Sequence, residues 1–302
     1  MKALLLLIVS GILAAGVFII GKQAGSDQLS PMLVLFWQMS GGALVVWLVS
    51  WPSRQFPKWD AMHIRYYLFG GLLGISIPYA LAFIVMQELQ VGIVGLLTAL
   101  SPVVTYAIAR ILRIEEGHPL RLAGLVVGLA GVTLLALPQG NVSSPANGLY
   151  MVIAFGIPVS LAASNIYRSR YWPSGSKAMP LVTGMLTVQG AWLLVVNLWL
   201  GNLQDGLFVS DDSMWTLALL GLIAGASYMS SFSLLKVGGP VYLSQMGYVI
   251  TAVTLIAGIL IWNEQYDAQD ILSMGLILAG VLVTTLTQRV QHRRANAQTL
   301  TK

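Results

Sequence analysis

The chain has 302 residues, of which 57% are hydrophobic and only 9% charged, against about a quarter charged in an average soluble domain. So few charges cannot cover the surface of a water-soluble fold of this length, so lipid must be the solvent for most of the chain. The absence of cysteine excludes disulfides, thiolate catalysis and cysteine-based zinc sites, and the net charge of +5 matters less than where the charges fall.

A helix that crosses a bilayer needs about 20 mostly apolar residues. By that measure the sequence predicts ten spans. Five lie near residues 3–21, 32–51, 66–86, 91–112 and 120–137. Five more lie near 149–167, 181–200, 214–235, 241–262 and 271–286. A charge-free stretch, P-Q-G-N-V-S-S-P-A-N, separates the two sets at 138–147, and a basic tail, Q-R-V-Q-H-R-R, follows the last span and is expected in solvent. The first span has the Lys2, apolar run and small residues of a signal peptide, but the symmetry set out below requires it to stay.

With the N-terminus in the cytoplasm, ten alternating spans place every Lys and Arg except Lys22 on the cytoplasmic side. The acids fall on the opposite side, apart from Asp60, Glu115 and Glu116. This is the distribution that the positive-inside rule demands. Adding or dropping one span would invert every later loop and destroy it.

The chain also matches itself at an offset of 149 residues. Leu73 falls on Leu222, Tyr79 on Tyr228, Phe83 on Phe232, and Val104-Thr105 on Val253-Thr254. Glu115 falls on Glu264, and L-A-G-V at 129–132 falls on L-A-G-V at 278–281. A constant register across several helices indicates duplication, with units at 1–145 and 146–288 and a cytoplasmic tail at 289–302. Five is odd, so the second unit must enter the membrane upside down. Arg121 falling on Asp270, a cation inside matched by an anion outside, agrees. The expected fold is an all-α membrane protein of ten transmembrane helices in two inverted five-helix repeats. In proteins so built, solute sites lie near the midplane between the halves.

Polar groups facing hydrocarbon unpaired are costly, so they should face the interior. In the third span Ser76, Tyr79 and Phe83 sit at i, i+3 and i+7 on one face, with Gly71, Gly74 and Pro78 on another suited to close packing. The fourth span offers Thr98, Ser101 and Thr105, with Pro102 and Tyr106 beside them. The sixth offers Ser160, Ser164 and Asn165 after an expected kink at Pro158; the eighth offers Ser227, Tyr228, Ser230 and Ser231; the ninth offers Ser244, Gln245, Tyr248 and Thr251. The candidate solute-binding residues are Ser76, Tyr79, Thr98, Ser164, Asn165, Ser227, Tyr228, Gln245 and Tyr248.

Each has a plainer alternative. Ser and Thr in spans often bond their own helix's carbonyls or join neighbouring helices. Asn165 and Gln245 stand out because a primary amide has more donors and acceptors to satisfy. Tyr79 and Tyr228 are symmetry mates, and tyrosine offers a flat apolar face plus one hydroxyl, although it can equally pack between helices. Glu115 and Glu264 each precede a span, where a carboxylate is favoured by the helix dipole and reads as a cap or loop anchor. Lys22 either snorkels to the interface or meets an anionic group at the outer mouth.

No ionisable residue lies deep in a span; Arg110 is about one turn from an inner end. This weakens a carboxylate-based proton antiport and disfavours a strongly charged solute, so a neutral, zwitterionic or amphipathic one fits better. His63, His118 and His292 fall in loops or the tail. There is no H-E-x-x-H, no G-x-S-x-G and no G-x-x-x-x-G-K-[ST]. No catalytic residue, metal site or cofactor is therefore expected, and the basic loops are explained by orientation without a nucleic-acid partner. The partners expected are a small-molecule solute and lipid, with the chain as a monomer.

Here the chain resembles the drug/metabolite transporter superfamily, in its ten-helix EamA-like branch. The resemblance covers nearly the whole chain. It rests on the two five-helix units, on Pro102 followed thirteen residues later by Glu115, and on the L-A-G-V run after it. The second unit repeats the glutamate at Glu264 and L-A-G-V at Leu278, but has Thr251 where Pro102 stands. A Trp-Gly pair common early in the first helix of relatives is replaced by Ala15-Gly16. The resemblance implies a bacterial inner-membrane protein, with both termini cytoplasmic, that exports amino acids, related metabolites or drugs without ATP. It also implies a central cavity lined by helices 1, 3, 4, 6, 8 and 9. An uptake carrier, a channel-like pore and an accessory membrane subunit remain the alternatives.

Overall fold

The computed structural model describes residues 2–26, 29–113, 118–137, 145–202 and 211–300. They form ten helices: α1 (Lys2–Ser26), α2 (Pro31–Ser50), α3 (Ala61–Val85), α4 (Val91–Ile111), α5 (Pro119–Ala136), α6 (Pro145–Arg170), α7 (Ala178–Leu200), α8 (Asp211–Ser244), α9 (Met246–Trp262) and α10 (Ala268–Leu300). Eight are long and apolar enough to cross a bilayer, and α5 and α9 are shorter apolar helices. Among the described residues there is no strand.

Caps explain where several helices begin. Asp60 accepts from the backbone N–H groups of Met62 and His63 at 3.1 Å each, which starts α3 five residues before the expected 66. His63 is consequently a buried residue of the first helical turn and not of a loop, held by Asp60 Oδ2 at 2.6 Å and Ser176 Oγ at 2.9 Å. At the start of α10, Asp267 and Asp270 each accept the other's backbone N–H, at 2.9 and 3.2 Å. This reciprocal cap uses the carboxylate of Asp270, which is buried. Gly201, with φ of +76°, ends α7 in the left-handed conformation that glycine adopts without strain. The backbone of α10 runs on to Leu300, past the expected end at 286, through Gln, Arg and Ala residues that favour helix.

Contacts between helix ends define two faces. On one, Lys22 meets Glu264, Asn202 donates to Ser30 Oγ, and Gln269 donates to Leu134 O. On the other, Arg65 lies over the Tyr171 ring, His63 meets Ser176, and Ser50 meets Thr183. The second face carries the Arg-rich connections and is called the basic end; the first is the acidic end. The side chains of Lys2, Asp27, Glu115, Glu116, Asp205, Asp211, Asp212, Ser244, Arg289, His292, Arg293, Arg294 and Lys302 lie outside the described residues.

The packing is two-fold. The contact of α1 with α8 is matched by that of α6 with α3, α1–α9 by α6–α4, and α2–α8 by α7–α3. The pairs α2–α7, α4–α9 and α5–α10 are their own mates. Because α1 ends at the acidic end and α6 at the basic end, the two units point in opposite directions. The duplicated L-A-G-V runs meet where α5 crosses α10. A Cβ on Gly280 would sit 2.5 Å from Gly124 O and from Gly128 N, and one on Gly131 would sit 2.8 Å from Ile277 N. Such backbone approach is how membrane helices pack without a hydrophobic driving force. The periphery exposes apolar side chains such as Val126 (66%) and Leu260 (76%), which suit lipid, while α4 is the most buried of the long spans.

Candidate functional site

Local breaks in α3 and α4 shape the centre of the bundle. Residues Leu72–Ser76 form a π turn, and Pro78 has no N–H to give back to it. The carbonyl of Leu73, which Pro78 would have served in the π register, instead accepts Ser160 Oγ from α6 at 2.7 Å. In α4 the helical ladder is interrupted at Leu100, just before Pro102. Both breaks border a cavity of about 140 Å³ lined by α1, α3, α4, α6, α8 and α9, close to the roughly 150 Å³ that holds a benzene ring.

The acidic end of this cavity is plugged by aromatic rings. Phe18 of α1 stacks on Tyr79 of α3 with centroids 5.1 Å apart. Tyr79 in turn meets Phe83 at 6.0 Å and Tyr228 of α8 at 6.4 Å. The close fit of α1 there requires Gly21, because a Cβ would strike the Phe83 ring. Nearer that face, Lys22 Nζ lies 2.5 Å from Glu264 Oε1 and 5.0 Å from the centroid of the Trp262 ring. Glu264 also accepts the Val91 N–H at 2.8 Å and the Tyr266 hydroxyl at 2.6 Å. Burial pushes the Glu264 carboxyl up, but the hydrogen bonds from Lys22, Tyr266 and Val91 outweigh it and hold the pKa below the usual 4.5. Burial, reinforced by the Glu264 carboxylate, raises that of Tyr266. Together these residues tie the ends of α1 and α9 to the start of α4. Glu264 is thus a loop anchor; its repeat mate Glu115 lies outside the described residues.

Towards the basic end the cavity stays open. A second hollow, sharing Asn165, Arg168 and Leu243 with the first, continues between the ends of α6 and α8.

Five of the nine candidates line the cavity: Tyr79, Thr98, Asn165, Ser227 and Tyr228. Asn165 Nδ2 donates to Ser101 Oγ at 3.2 Å, and the Tyr228 hydroxyl is buried beside that of Tyr79 without a hydrogen bond of good geometry. Thr98 Oγ1 donates to Gly95 O of its own helix at 2.6 Å. The other four lie elsewhere. Ser76 donates to Gln189 Oε1 of α7 at 2.6 Å, because the π turn rotates it off the face of Tyr79 and Phe83. Ser164 packs at Gly74 and reaches Gly70 O at 3.4 Å. The Tyr248 hydroxyl lies 3.1 Å from Thr285 Oγ1 of α10. Gln245 stands at the junction of α8 and α9, not inside a span, buried and with Nε2 unbonded.

Three functional or supporting residues were not singled out from the sequence. Phe18 recurs one turn after Ala14 on the cavity face of α1. Gln189 is a fully buried amide that accepts from Ser76 and donates to the carbonyls of Tyr67 and Leu68 at 3.0 and 3.2 Å; an amide in the middle of an apolar span was the signal. Arg168 is the third. The expected span ended at 167 and left it in a loop, but α6 runs to Arg170 and puts the Arg168 side chain in the cavity wall. The cavity therefore does hold a fixed charge.

Both halves of the chain match one family model, that of the EamA-like transporter family, over residues 1–137 and 149–286. The chain is 22% identical over 217 residues to Protein PecM of Dickeya dadantii (strain 3937), covering 70% of this chain and 71% of that one. It is 20% identical over 233 residues to the Uncharacterized transporter YvbV of Bacillus subtilis (strain 168), covering 76% and 74%. A crystal structure of a protein 18% identical has the same fold, with a TM-score of 0.62 over 93% of this chain and 98% of that chain. With one family unit occurring twice and filling nearly all of the sequence, the chain belongs to the EamA-like transporter family, and it is a multi-pass membrane transporter and not an enzyme.

Proposed function

We propose that the protein is a secondary transporter of the bacterial inner membrane, with both termini cytoplasmic, that exports amino acids or related small neutral or zwitterionic metabolites by alternating access. The observation that carries this reading is the shape of the central cavity. It lies between two inverted units, is plugged by Phe18 and Tyr79 at the acidic end and stays open towards the basic end. A compartment that communicates with one side at a time is what a carrier needs and a channel lacks. Its wall combines aromatic rings with a few hydroxyls and one amide, which suits a small organic solute.

The cysteine-free sequence makes the test direct. In Ser231→Cys, a variant of a cavity-lining residue, the new thiol should react with a membrane-impermeant reagent added on the cytoplasmic side, and a transported solute should protect it. In liposomes the protein should show saturable efflux of an amino acid. Labelling from both sides at once, with flux that never saturates, would identify a pore instead.

A further inference from the structure

Among the described residues, Arg168 is the one charged side chain in the cavity wall. It is half-buried in the last turn of α6, its stem resting on Gly70 of α3. Its guanidinium lies 4.4 Å from the centre of the Phe232 ring, and its Nε is buried without a hydrogen bond. The Tyr66 hydroxyl beside it makes no hydrogen bond of good geometry either. Neither ion pair among the described residues includes Arg168; these join Lys22 to Glu264 and His63 to Asp60. A basic residue near a helix C-terminus is favoured by the dipole and by membrane orientation. The exposed Arg170 two residues on satisfies both, and neither accounts for a guanidinium that lines the hollow without a carboxylate partner among the described residues.

We infer that Arg168 receives the carboxylate of the transported solute, and that the solute is a carboxylate with an apolar body the size of one aromatic ring. This rests on the carrier reading above. A guanidinium is built to bind a carboxylate through two parallel N–H donors. Among the described residues no acidic side chain lines the cavity, so an ammonium on the solute would meet hydroxyls, the Asn165 amide and aromatic faces instead of a carboxylate. Beyond Arg168, the apolar space beside Phe18 and Tyr79 receives the body.

Two probes of one shape isolate the charge: phenylacetate and its neutral isostere phenylacetamide. Their affinities for purified wild-type protein should differ at least tenfold in favour of the acid, as expected for loss of a charge-assisted hydrogen bond. The preference should vanish in Arg168→Gln, be partly kept in Arg168→Lys, and be unchanged in Arg170→Gln. Equal affinities in the wild type, binding of neither probe, or a preference that survives in Arg168→Gln would overturn the inference. Saturable phenylalanine flux in liposomes, measured in parallel, tests the carrier reading separately: its presence alongside any of those results leaves the carrier standing and removes only the role of Arg168.

Discussion

Tyr79 touches three other rings and so works as a plug, with its flat face more important than its hydroxyl. We expect Tyr79→Phe to keep most of the transport rate and Tyr79→Ala to lose about tenfold or more, since a buried aromatic pair is worth about 0.5–1.5 kcal/mol beyond its area. Initial rates in liposomes decide this; a Phe variant as poor as the Ala variant would shift the role to the hydroxyl. Gln189 plays a different part. It ties α7 to the π turn through two carbonyls and Ser76. Gln189→Leu should lower stability by about 1–3 kcal/mol, the cost of stranding a buried polar partner, without changing half-saturation by the solute. Thermal unfolding and flux on the same preparation separate the two effects. The register of the repeat picks out Tyr79 and Tyr228 from sequence alone. Ser76 escapes such reading, because a single π turn rotates every face after it and leaves no mark in the periodicity.

At the level of helices, the repeated L-A-G-V letters turn out to be a crossing point. Gly280 faces backbone of α5, whereas nothing lies within 4 Å of a Cβ on Gly275 in the same helix. Gly280→Leu should therefore abolish folded protein and Gly275→Leu should be tolerated, as read by the monodisperse yield after extraction. The tie between α1 and α9 gives a pH expectation. The folded pKa of Glu264 lies below its usual 4.5. The stabilisation is therefore complete above that usual value and is lost only as pH falls through the lowered one. Labelling of a cysteine at Ser231 from the acidic end should thus stay low from neutral pH down to about 5, and rise under more acid conditions or in Glu264→Gln. A rise between pH 8 and 6 would show that another group controls the closure. Span number and order were legible because lipid demands long apolar runs. Helix ends were not: the Asp60 cap and the last turn of α6 lie in polar sequence where such runs give no signal.

For the whole molecule, the alternation of charge predicts an orientation that any fusion can test. A reporter after Lys302 should be active only in its cytoplasmic form, and a periplasmic signal would be incompatible with ten spans. The inverted duplication was legible in outline, since one offset carries residues of one half onto the other and the packing repeats the same correspondence helix by helix. The position of a charge relative to the cavity was not. Counting basic residues treats every Arg near a membrane boundary alike, and only the path of α6 distinguishes Arg168 from Arg170.

In the register of the repeat, the salt link at one mouth of the proposed carrier has no counterpart. Moving Lys22 by the repeat offset of 149 lands on Tyr171, which carries no positive charge to pair with an acid. Two identical mirrored halves would make the opposite-facing states equal in energy, and the protein would idle evenly between them. Here the doors are bolted differently, so the empty carrier should dwell with one door shut and meet solute with unequal apparent affinity from its two sides. Removing the bolt by Lys22→Gln should bring those two affinities closer together.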